Sequence, residues 1–294
     1  MTVATITLES GGDSVVVCAP NTSYFSSDII LDTNPDGIYD TGFTVRTVSG
    51  AFEQGGRIIG ESVPIREMVL PFWLTPESRP RFQKLWGTPG NFRKVRWHFD
   101  GPSGRRSLTL KLAKEIKYTT EDGHDASIDG VYHAVVSALA VNPMYESAEN
   151  VQQFTNPSSG TNTGYFNVWN PTDQNLWLEW AFDPATSWSF PDFSFNQERK
   201  WGRTVGQDAA RMIVTPALTQ LLSVMSDPMM DTYVSADLSN AAGLFNGVEP
   251  IYPVPPYTGT QTNPIVVPVI CNGPSGAKAT LRQRRFWSAE SGLE

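Results

Sequence analysis

Alternation of apolar and polar residues predicts several short β-strands in the first half of the chain. Four apolar residues recur with period two and therefore share one face of a strand; they are Met68, Leu70, Phe72 and Leu74. Residues 95–112 alternate similarly on both sides of the turn 101–104, which predicts an antiparallel hairpin with one apolar and one charged face. The apolar run 131–141 predicts a central strand that ends at Asn142-Pro143.

One short helix is predicted directly after the strand 68–74. Thr75 is a suitable N-cap, Pro76 suits the first helical position, and Gly87 suits the C-terminal stop. The apolar residues of this segment fall at helical spacing, so we expect them to be buried against the strand 68–74. They are Phe82, Leu85 and Trp86.

A change of composition after residue 148 predicts a second domain. Residues 149–164 are rich in Ser, Asn, Thr and Gly, which is typical of a linker. Residues 165–201 then contain eleven aromatic residues in thirty-seven positions, a density that favours a β-sandwich packed with large side chains. We therefore expect an all-β protein with one short helix, a first domain at 1–148, a linker at 149–164 and a second domain at 165–294.

Length, charge and cysteine content narrow the class of protein. The 294 residues suffice for two cores, and the net charge of −8 argues against tight or sequence-specific binding of nucleic acid. The longest apolar run, near Ile265–Cys271, is too short to span a membrane, and the N-terminus lacks the features of a secretory signal. Cys18 and Cys271 could form a disulfide, but two buried free thiols are favoured.

The sequence contains no recognisable catalytic or metal-binding constellation. His98, His124 and His133 are not spaced as ligands on one helix, and the acidic loop 121–129 lacks the oxygen ligands of an EF-hand. Motifs for a nucleophile elbow or a phosphate-binding loop are also missing. No catalytic residue, metal or cofactor is therefore predicted, and an enzyme is the least favoured class.

Three tryptophans of the aromatic segment are candidates for a sugar-binding platform, because an indole face stacks on a pyranose ring. They are Trp177, Trp180 and Trp188. Residues of this type more often belong to the core of a β-sandwich. A carbohydrate-binding module therefore stays open as an alternative function.

Several segments resemble tail proteins of long-tailed, non-contractile phages. The strand PIREMVLPFWL, the helix RPRFQKLW and the basic hairpin KVRWHFDGPSGRRSLTLKL, all between residues 56 and 112, resemble distal tail proteins. The second half resembles minor tail proteins of phages that infect actinobacteria. The matching segments are SDPMMDTYVSA, FNGVEPIYPVPPYTG, VPVICNGPSGAKATLRQRRFW and the closing GLE. Together they cover about two thirds of the chain.

This resemblance implies a structural protein of the virion, located at the tail tip and made in the host cytoplasm. Such proteins form a hexameric ring through a β-barrel-like first domain, and a galectin-like β-sandwich projects outward. The implied partners are other copies of the chain, the tail tube protein, the tape measure and the tail-tip or baseplate hub proteins. The ring joins tube to tip and leaves a channel for DNA. The alternatives left open are a related minor tail protein and a lectin-like one that binds a host-surface glycan.

Opposed charge blocks are expected to face each other across neighbouring subunits of such a ring. Residues 1–56 carry a net charge of −6 and residues 57–117 a net charge of +8. A head-to-tail interface joins two different patches and closes into a ring when the rotation permits. The candidate cations are Arg57, Arg66, Arg93, Arg105 and Arg106. A solvated hairpin face is the alternative explanation of the basic block.

The C-terminal sequence 281–294 is the last candidate surface. Its apolar and charged residues do not separate into a core face and a polar face, so we expect a strand at a sheet edge or against another surface. Arginine with aromatic residues is common in interface anchors. The candidates are Arg284, Arg285, Phe286 and Trp287, which we expect to dock on the first domain or on a neighbouring tail protein. A solvated, charge-protected edge strand is the alternative.

Overall fold

The computed structural model describes residues 4–20, 28–119 and 130–294, which divide into two compact units. The first unit comprises Met1–Ser147 together with Trp287–Leu293, and the second comprises Ala148–Phe286 together with Glu294. The predicted acidic loop 121–129 with His124, Asp125 and Asp129 lies outside the described residues.

The first unit is built from antiparallel strands around one helix. Its strands are β1 (Thr5–Ser10), β2 (Asp13–Cys18), β3 (Ile29–Leu31), β4 (Thr44–Val48), β5 (Arg57–Ser62), β6 (Arg66–Leu74), β7 (Gly87–Thr88), β8 (Asn91–Phe92), β9 (Val95–Gly101), β10 (Gly104–Leu112), β11 (Lys117–Thr119), β12 (Tyr132–Ala140) and β13 (Tyr145–Ser147), and the helix α1 spans Arg79–Trp86. The main sheet has the order β2-β1-β9-β10-β12-β6-β3, and its two end strands lie next to each other. The sheet is therefore a nearly closed barrel, which leaves few free edges.

The strands of this barrel follow the predicted alternation. Met68, Leu70, Phe72 and Leu74 are all buried in the core, and the hairpin β9–β10 turns at residues 101–104 as predicted. Strand β12 pairs with β10 on one side and β6 on the other, which confirms the central strand. Local periodicity sufficed here because each strand has one face in the barrel core.

Helix α1 closes one side of the core. The predicted burial of Phe82, Leu85 and Trp86 is confirmed, and the Phe82 ring lies 5.0 Å from the Phe72 ring of β6. The regular helix begins at Arg79, four residues after Thr75, because Pro80 has no N–H to donate to the carbonyl oxygen of Pro76. In the turn before it, the hydroxyl groups of Thr75 and Ser78 each accept the other's backbone N–H.

Gly87 ends the helix as predicted. Its φ of 86° lies in the left-handed region. A Cβ atom at this position would lie 2.3 Å from the carbonyl oxygen of Asn91, so a side chain does not fit. The sequence signal for a helix stop therefore coincides with a close approach of two backbone segments.

The second unit consists of two packed sheets. Its strands are β14 (Asn150–Thr155), β15 (Gly160–Val168), β16 (Leu178–Phe182), β17 (Ser187–Pro191), β18 (Met212–Val214), β19 (Leu222–Met225), β20 (Tyr233–Ser235), β21 (Ile265–Gly273) and β22 (Lys278–Gln283), with short 3₁₀ helices at Glu198–Trp201 and Ala242–Phe245. One sheet has the order β14-β22-β16-β19-β20 and the other β15-β21-β17-β18. Rings from both sheets meet in the core, where Phe166 and Trp180 lie 5.3 Å apart. The expected all-β class with one short α-helix is thus confirmed for the described residues.

The segment 149–164 is not a linker. It forms β14 and most of β15, which pair with β22 and β21 respectively. Polar residues are compatible with these strands because both lie at sheet edges, where every second side chain faces solvent. The second unit therefore begins at Ala148, and its first two strands come from the sequence predicted to connect the domains.

The strand near the C-terminus is also placed differently from the prediction. Strand β22 lies between β14 and β16 and is therefore central rather than at an edge. Leu281 and Gln283 face the interior, and the Gln283 amide donates to carbonyl oxygens instead of facing water. After it, a last short strand, β23 (Phe286–Trp287), pairs with β13, and Trp287–Leu293 belong to the first unit.

Candidate assembly site

The hairpin β4–β5 is the most exposed element of the first unit. All residues of β4 are exposed, and so are all residues of β5 except Gly60. Among the described residues, β4 and β5 pair only with each other, which leaves both outer edges of the hairpin unpaired. A two-stranded hairpin in water is marginal in stability, and unpaired edges accept a further strand. This hairpin is therefore suited to pairing with another chain.

Apolar side chains cover both faces of this hairpin and its flanks. Ile58 is 73% exposed and its neighbour Ile59, on the opposite face, is 66% exposed. The other exposed apolar residues of this stretch are Phe43, Val45, Val48, Phe52, Val63 and Ile65. An exposed apolar cluster of this kind marks a protein–protein contact surface more often than a solvated surface.

Arg66, the first residue of β6, follows this hairpin and binds the segment that precedes it. Its guanidinium is buried and donates to the carbonyl oxygens of Pro143 (2.8 Å) and Ser288 (3.0 Å) and to the hydroxyl of Thr41. The remaining acceptors are the carbonyl oxygens of Gly37, Ile38 and Tyr39, at 2.7–3.1 Å. Burial lowers the pKa of Arg66, but a guanidinium remains charged at neutral pH.

Arg106 binds the C-terminal tail, residues 287–293. It is almost fully buried and donates to the carbonyl oxygens of Ala289 (2.8 Å) and Gly292 (2.6 Å). Its guanidinium also lies 3.9 Å from the centre of the Trp287 ring, within the range of a cation–π contact. Trp287 is itself in the core of the first unit, and its indole N–H donates to Ser147.

Only part of the predicted set of interface cations is available at the surface. Arg66 and Arg106 are buried in their own unit and cannot face a neighbouring subunit. Arg57 and Arg105 are exposed, and they pair with Glu53 (3.2 Å) and Asp100 (2.7 Å) of the same chain. Arg93 is half-buried. The basic block of the sequence therefore divides into interior and surface residues.

The four predicted C-terminal anchor residues have different environments. Trp287 is in the first unit, whereas the other three belong to the second. Arg284 lies 3.5 Å from Glu179 and over the Phe286 ring, and Arg285 lies over the Trp169 ring at 4.5 Å. A single tryptophan thus contacts the first unit, together with the tail that follows it.

The predicted sugar platform does not form as a group. Trp180 and Trp188 are buried in the sandwich core, so these two tryptophans are unavailable to a ligand. Trp177 is half-exposed. Both buried rings pack on Phe182, which explains the density of aromatic residues in this segment.

Two histidines take part in hydroxyl–imidazole–carboxylate chains. His98 Nδ1 lies 2.8 Å from the Ser107 hydroxyl and its Nε2 lies 2.9 Å from Glu9, while His133 contacts Thr119 and Asp32 in the same way. In the hydrolase triad the hydroxyl bonds Nε2 and the carboxylate bonds Nδ1, the reverse of this arrangement. Ser107 is also buried. These chains therefore connect neighbouring strands.

The described residues contain no group of three or more histidine, cysteine or acidic side chains that could hold a metal ion. They also contain no helix that is long and apolar enough to cross a membrane. Cys18 and Cys271 are both free thiols, and Cys271 is buried as predicted, whereas Cys18 is only half-buried.

The fold is that of the phage distal tail protein, Dit. The chain superposes over 96% of its length on 98% of the Dit protein of phage SPP1, with a TM-score of 0.56 and 12% identity. That protein is described as a paradigm of the hub adsorption apparatus in phages that infect Gram-positive hosts. It also superposes over 96% of its length on a chain of the phage P2 baseplate, with a TM-score of 0.50 and 10% identity. No protein-family model matches the sequence, and no curated protein is similar to it in sequence.

The particular resemblance predicted from the strand, helix and hairpin motifs is thereby confirmed at the level of the fold. The chain has a Dit-like fold over nearly its whole length. The resemblance to proteins of actinobacterial phages stays a prediction.

Proposed function

We propose that the chain is a structural protein of a phage tail tip, and that its first unit assembles into a hexameric ring at the distal end of the tail tube. The Dit-like fold supports this role, since two solved phage hub or baseplate chains share it. In the proposed assembly, the ring contacts the tail tube protein on one side and the tip or hub proteins on the other. It leaves a channel for the tape measure and for DNA.

The observation that carries the proposal is the exposed hairpin β4–β5. Its apolar faces and unpaired edges have no partner within the described part of the chain. Arg66, shortly after the hairpin, donates six hydrogen bonds, and four of them go to residues 37–41, shortly before it. The hairpin is thus flanked by segments that are bound to each other, and a neighbouring copy of the chain is the partner that a ring supplies. The protein acts in this role without catalytic chemistry or a cofactor.

Substitution of the apolar hairpin residues tests this proposal. Ile58→Thr/Ile59→Thr keeps β-branched side chains but removes apolar area from both hairpin faces, so we expect it to weaken assembly and leave a folded monomer. Light scattering coupled to size-exclusion chromatography measures the mass, and negative-stain microscopy shows whether rings form.

The matched control carries the same change on two exposed strand residues of the second unit, Val214→Thr/Val266→Thr, and should form rings like the parent. A parent chain that stays monomeric at high concentration would contradict the ring. Rings of normal mass in the Ile58/Ile59 variant would show that the hairpin is not the contact.

A further inference from the structure

The outer face of the sheet β14-β22-β16-β19-β20 carries a cluster of one aromatic and three charged residues, Trp177, Glu179, Arg282 and Arg284. Residues 176–182 alternate strictly, and the apolar residues at even positions are buried. Trp177 and Glu179 lie between them and are partly exposed. By the period of a strand, both side chains therefore point away from the core, on the same face.

Strand register places two arginines beside Glu179. Arg282 of β22 is directly opposite Glu179, and on the other side Met225 of β19 is its partner. Arg284 Nη1 lies 3.5 Å from the Glu179 carboxylate. Because Leu178 pairs with Gln283, the neighbours of these two residues, Trp177 and Arg284, lie at the same end of the cluster.

The carboxylate of Glu179 in this cluster is partly buried and therefore partly desolvated. The side chain of Glu179 is only 18% exposed, and this burial raises its pKa, although Arg284 and Arg282 oppose the rise. A partly buried carboxylate between two guanidinium groups offers acceptors and donors in a fixed geometry. The half-exposed indole adds a flat apolar surface beside them.

We infer that Trp177, Glu179, Arg282 and Arg284 form a binding site for a neutral hexopyranose unit of a glycan. A pyranose ring presents an apolar C–H face that stacks on the indole, and its hydroxyl groups donate to Glu179 and accept from the arginines. A hydroxyl-rich ligand satisfies carboxylate and guanidinium together without adding charge. Glu179 and Arg282 lie on neighbouring strands of a sheet, which hold binding groups more rigidly than loops do, and Trp177 and Arg284 directly adjoin these strands.

A second half-exposed tryptophan of the same unit provides the comparison. Trp201 ends a 3₁₀ helix and contacts the Tyr252 ring edge-on at 6.4 Å, and it is 43% exposed. The carboxylate of Asp208 close to this tryptophan already accepts hydrogen bonds from Arg203 and Tyr252. Trp201 thus has an aromatic surface without a carboxylate available to a sugar.

Saturation-transfer NMR of the full chain with lactose, cellobiose, maltose and chitobiose tests the inference. At about 10 mM sugar this detects binding as weak as millimolar dissociation constants. We expect at least one disaccharide to bind. Trp177→Ala and Glu179→Gln should each weaken that binding about tenfold or more, whereas Trp201→Ala should leave it unchanged.

Thermal unfolding of each variant checks that the second unit remains folded. If Trp177→Ala is unstable, Glu179→Gln still tests the site, because it keeps the size of the side chain. Three results overturn the site: no binding of any disaccharide, binding that survives Glu179→Gln and Trp177→Ala, and equal loss in Trp201→Ala. Ring assembly, measured in parallel, is independent of the outcome. An anionic sugar bound in place of the neutral ones would also overturn the assignment of ligand class.

Discussion

Buried arginines form the main polar contacts in the interior of the first unit. The guanidinium groups of Arg66 and Arg106 donate to seven backbone carbonyl oxygens and one hydroxyl. Each also lies against an aromatic ring. A guanidinium has five donors in one plane, so it can bind several backbone carbonyls that no strand partner reaches. These two residues therefore support irregular segments of the chain.

Trp86 allows a direct test of the core at the scale of one residue. It is fully buried, and its ring lies 6.4 Å from that of Phe82. We expect Trp86→Ala to lower the free energy of unfolding by about 3–5 kcal/mol, because a large cavity replaces the indole. Urea denaturation followed by circular dichroism measures the change.

Gln83→Ala is the control, since Gln83 is exposed on the same helix and its replacement should change stability by less than about 0.5 kcal/mol. A loss below about 1 kcal/mol for Trp86→Ala would mean that the indole lies on an exposed or assembly surface.

At the scale of elements, the C-terminal tail completes the first unit. The tail supplies Trp287 to the core, and its carbonyl oxygens at Ser288, Ala289 and Gly292 accept bonds from the two buried arginines. Ser288 also accepts the backbone N–H of Thr41, close to the start of the hairpin β4–β5. The tail therefore contributes to the support of the element that we propose as the assembly contact.

Removal of the tail tests this contribution. A chain that ends at Phe286 loses a buried tryptophan and leaves two buried guanidinium groups with unsatisfied donors, so we expect at least about 3 kcal/mol of lost stability in the first unit. Differential scanning calorimetry should show the first unit unfolding at lower temperature, while the second unit keeps its own transition.

Deletion of Leu293 and Glu294 alone serves as the control, because it retains Ser288, Ala289 and Gly292, whose carbonyl oxygens accept bonds from the arginines. Unchanged transitions after truncation at Phe286 would show that the tail has no anchoring role.

At the scale of the whole molecule, opposed charge remains a proposal for how copies of the chain recognise each other. The surface cations Arg57 and Arg105 already have acidic partners in the same chain, and exposed pairs of this kind contribute little to stability. Their effect on assembly is therefore expected to be steering and register between subunits, with little contribution to affinity.

Arg105→Glu tests this effect without disturbing the core, whereas a change at Arg106 would remove a buried guanidinium. We expect slower or weaker assembly at low salt, and a smaller difference from the parent at 1 M salt, where the Debye length falls to about 3 Å. Light scattering over a salt series measures the effect.

Lys278→Glu, an exposed charge reversal in the second unit, is the matched control. Assembly of the Arg105 variant equal to that of the parent at every salt concentration would disprove electrostatic steering by this residue.

The sequence by itself determined the elements whose signal is local. Period-two alternation predicted β6 and the hairpin β9–β10, an apolar run predicted the central strand β12, and helical spacing predicted the buried face of α1. In each of these elements one face meets the core, so burial appears directly as a pattern of neighbouring residues. The resemblance to distal tail proteins rests on the segments that form β6, α1 and the hairpin β9–β10.

Only the tertiary structure decided the role of residues whose partners are distant along the chain. Arg66 meets Ser288 across 222 residues and Arg106 meets Ala289 across 183. The strand period puts both arginines on the same face as buried neighbours such as Met68 and Leu108, but only the distant carbonyl oxygens explain how a guanidinium is accommodated there. The same reason applies to the segment 149–164, whose polar residues form strands because β21 and β22, more than a hundred residues later, supply their backbone partners. Hydrogen bonds that satisfy a buried charge or a sheet edge depend on spatial neighbours, and the local pattern of a sequence does not contain them.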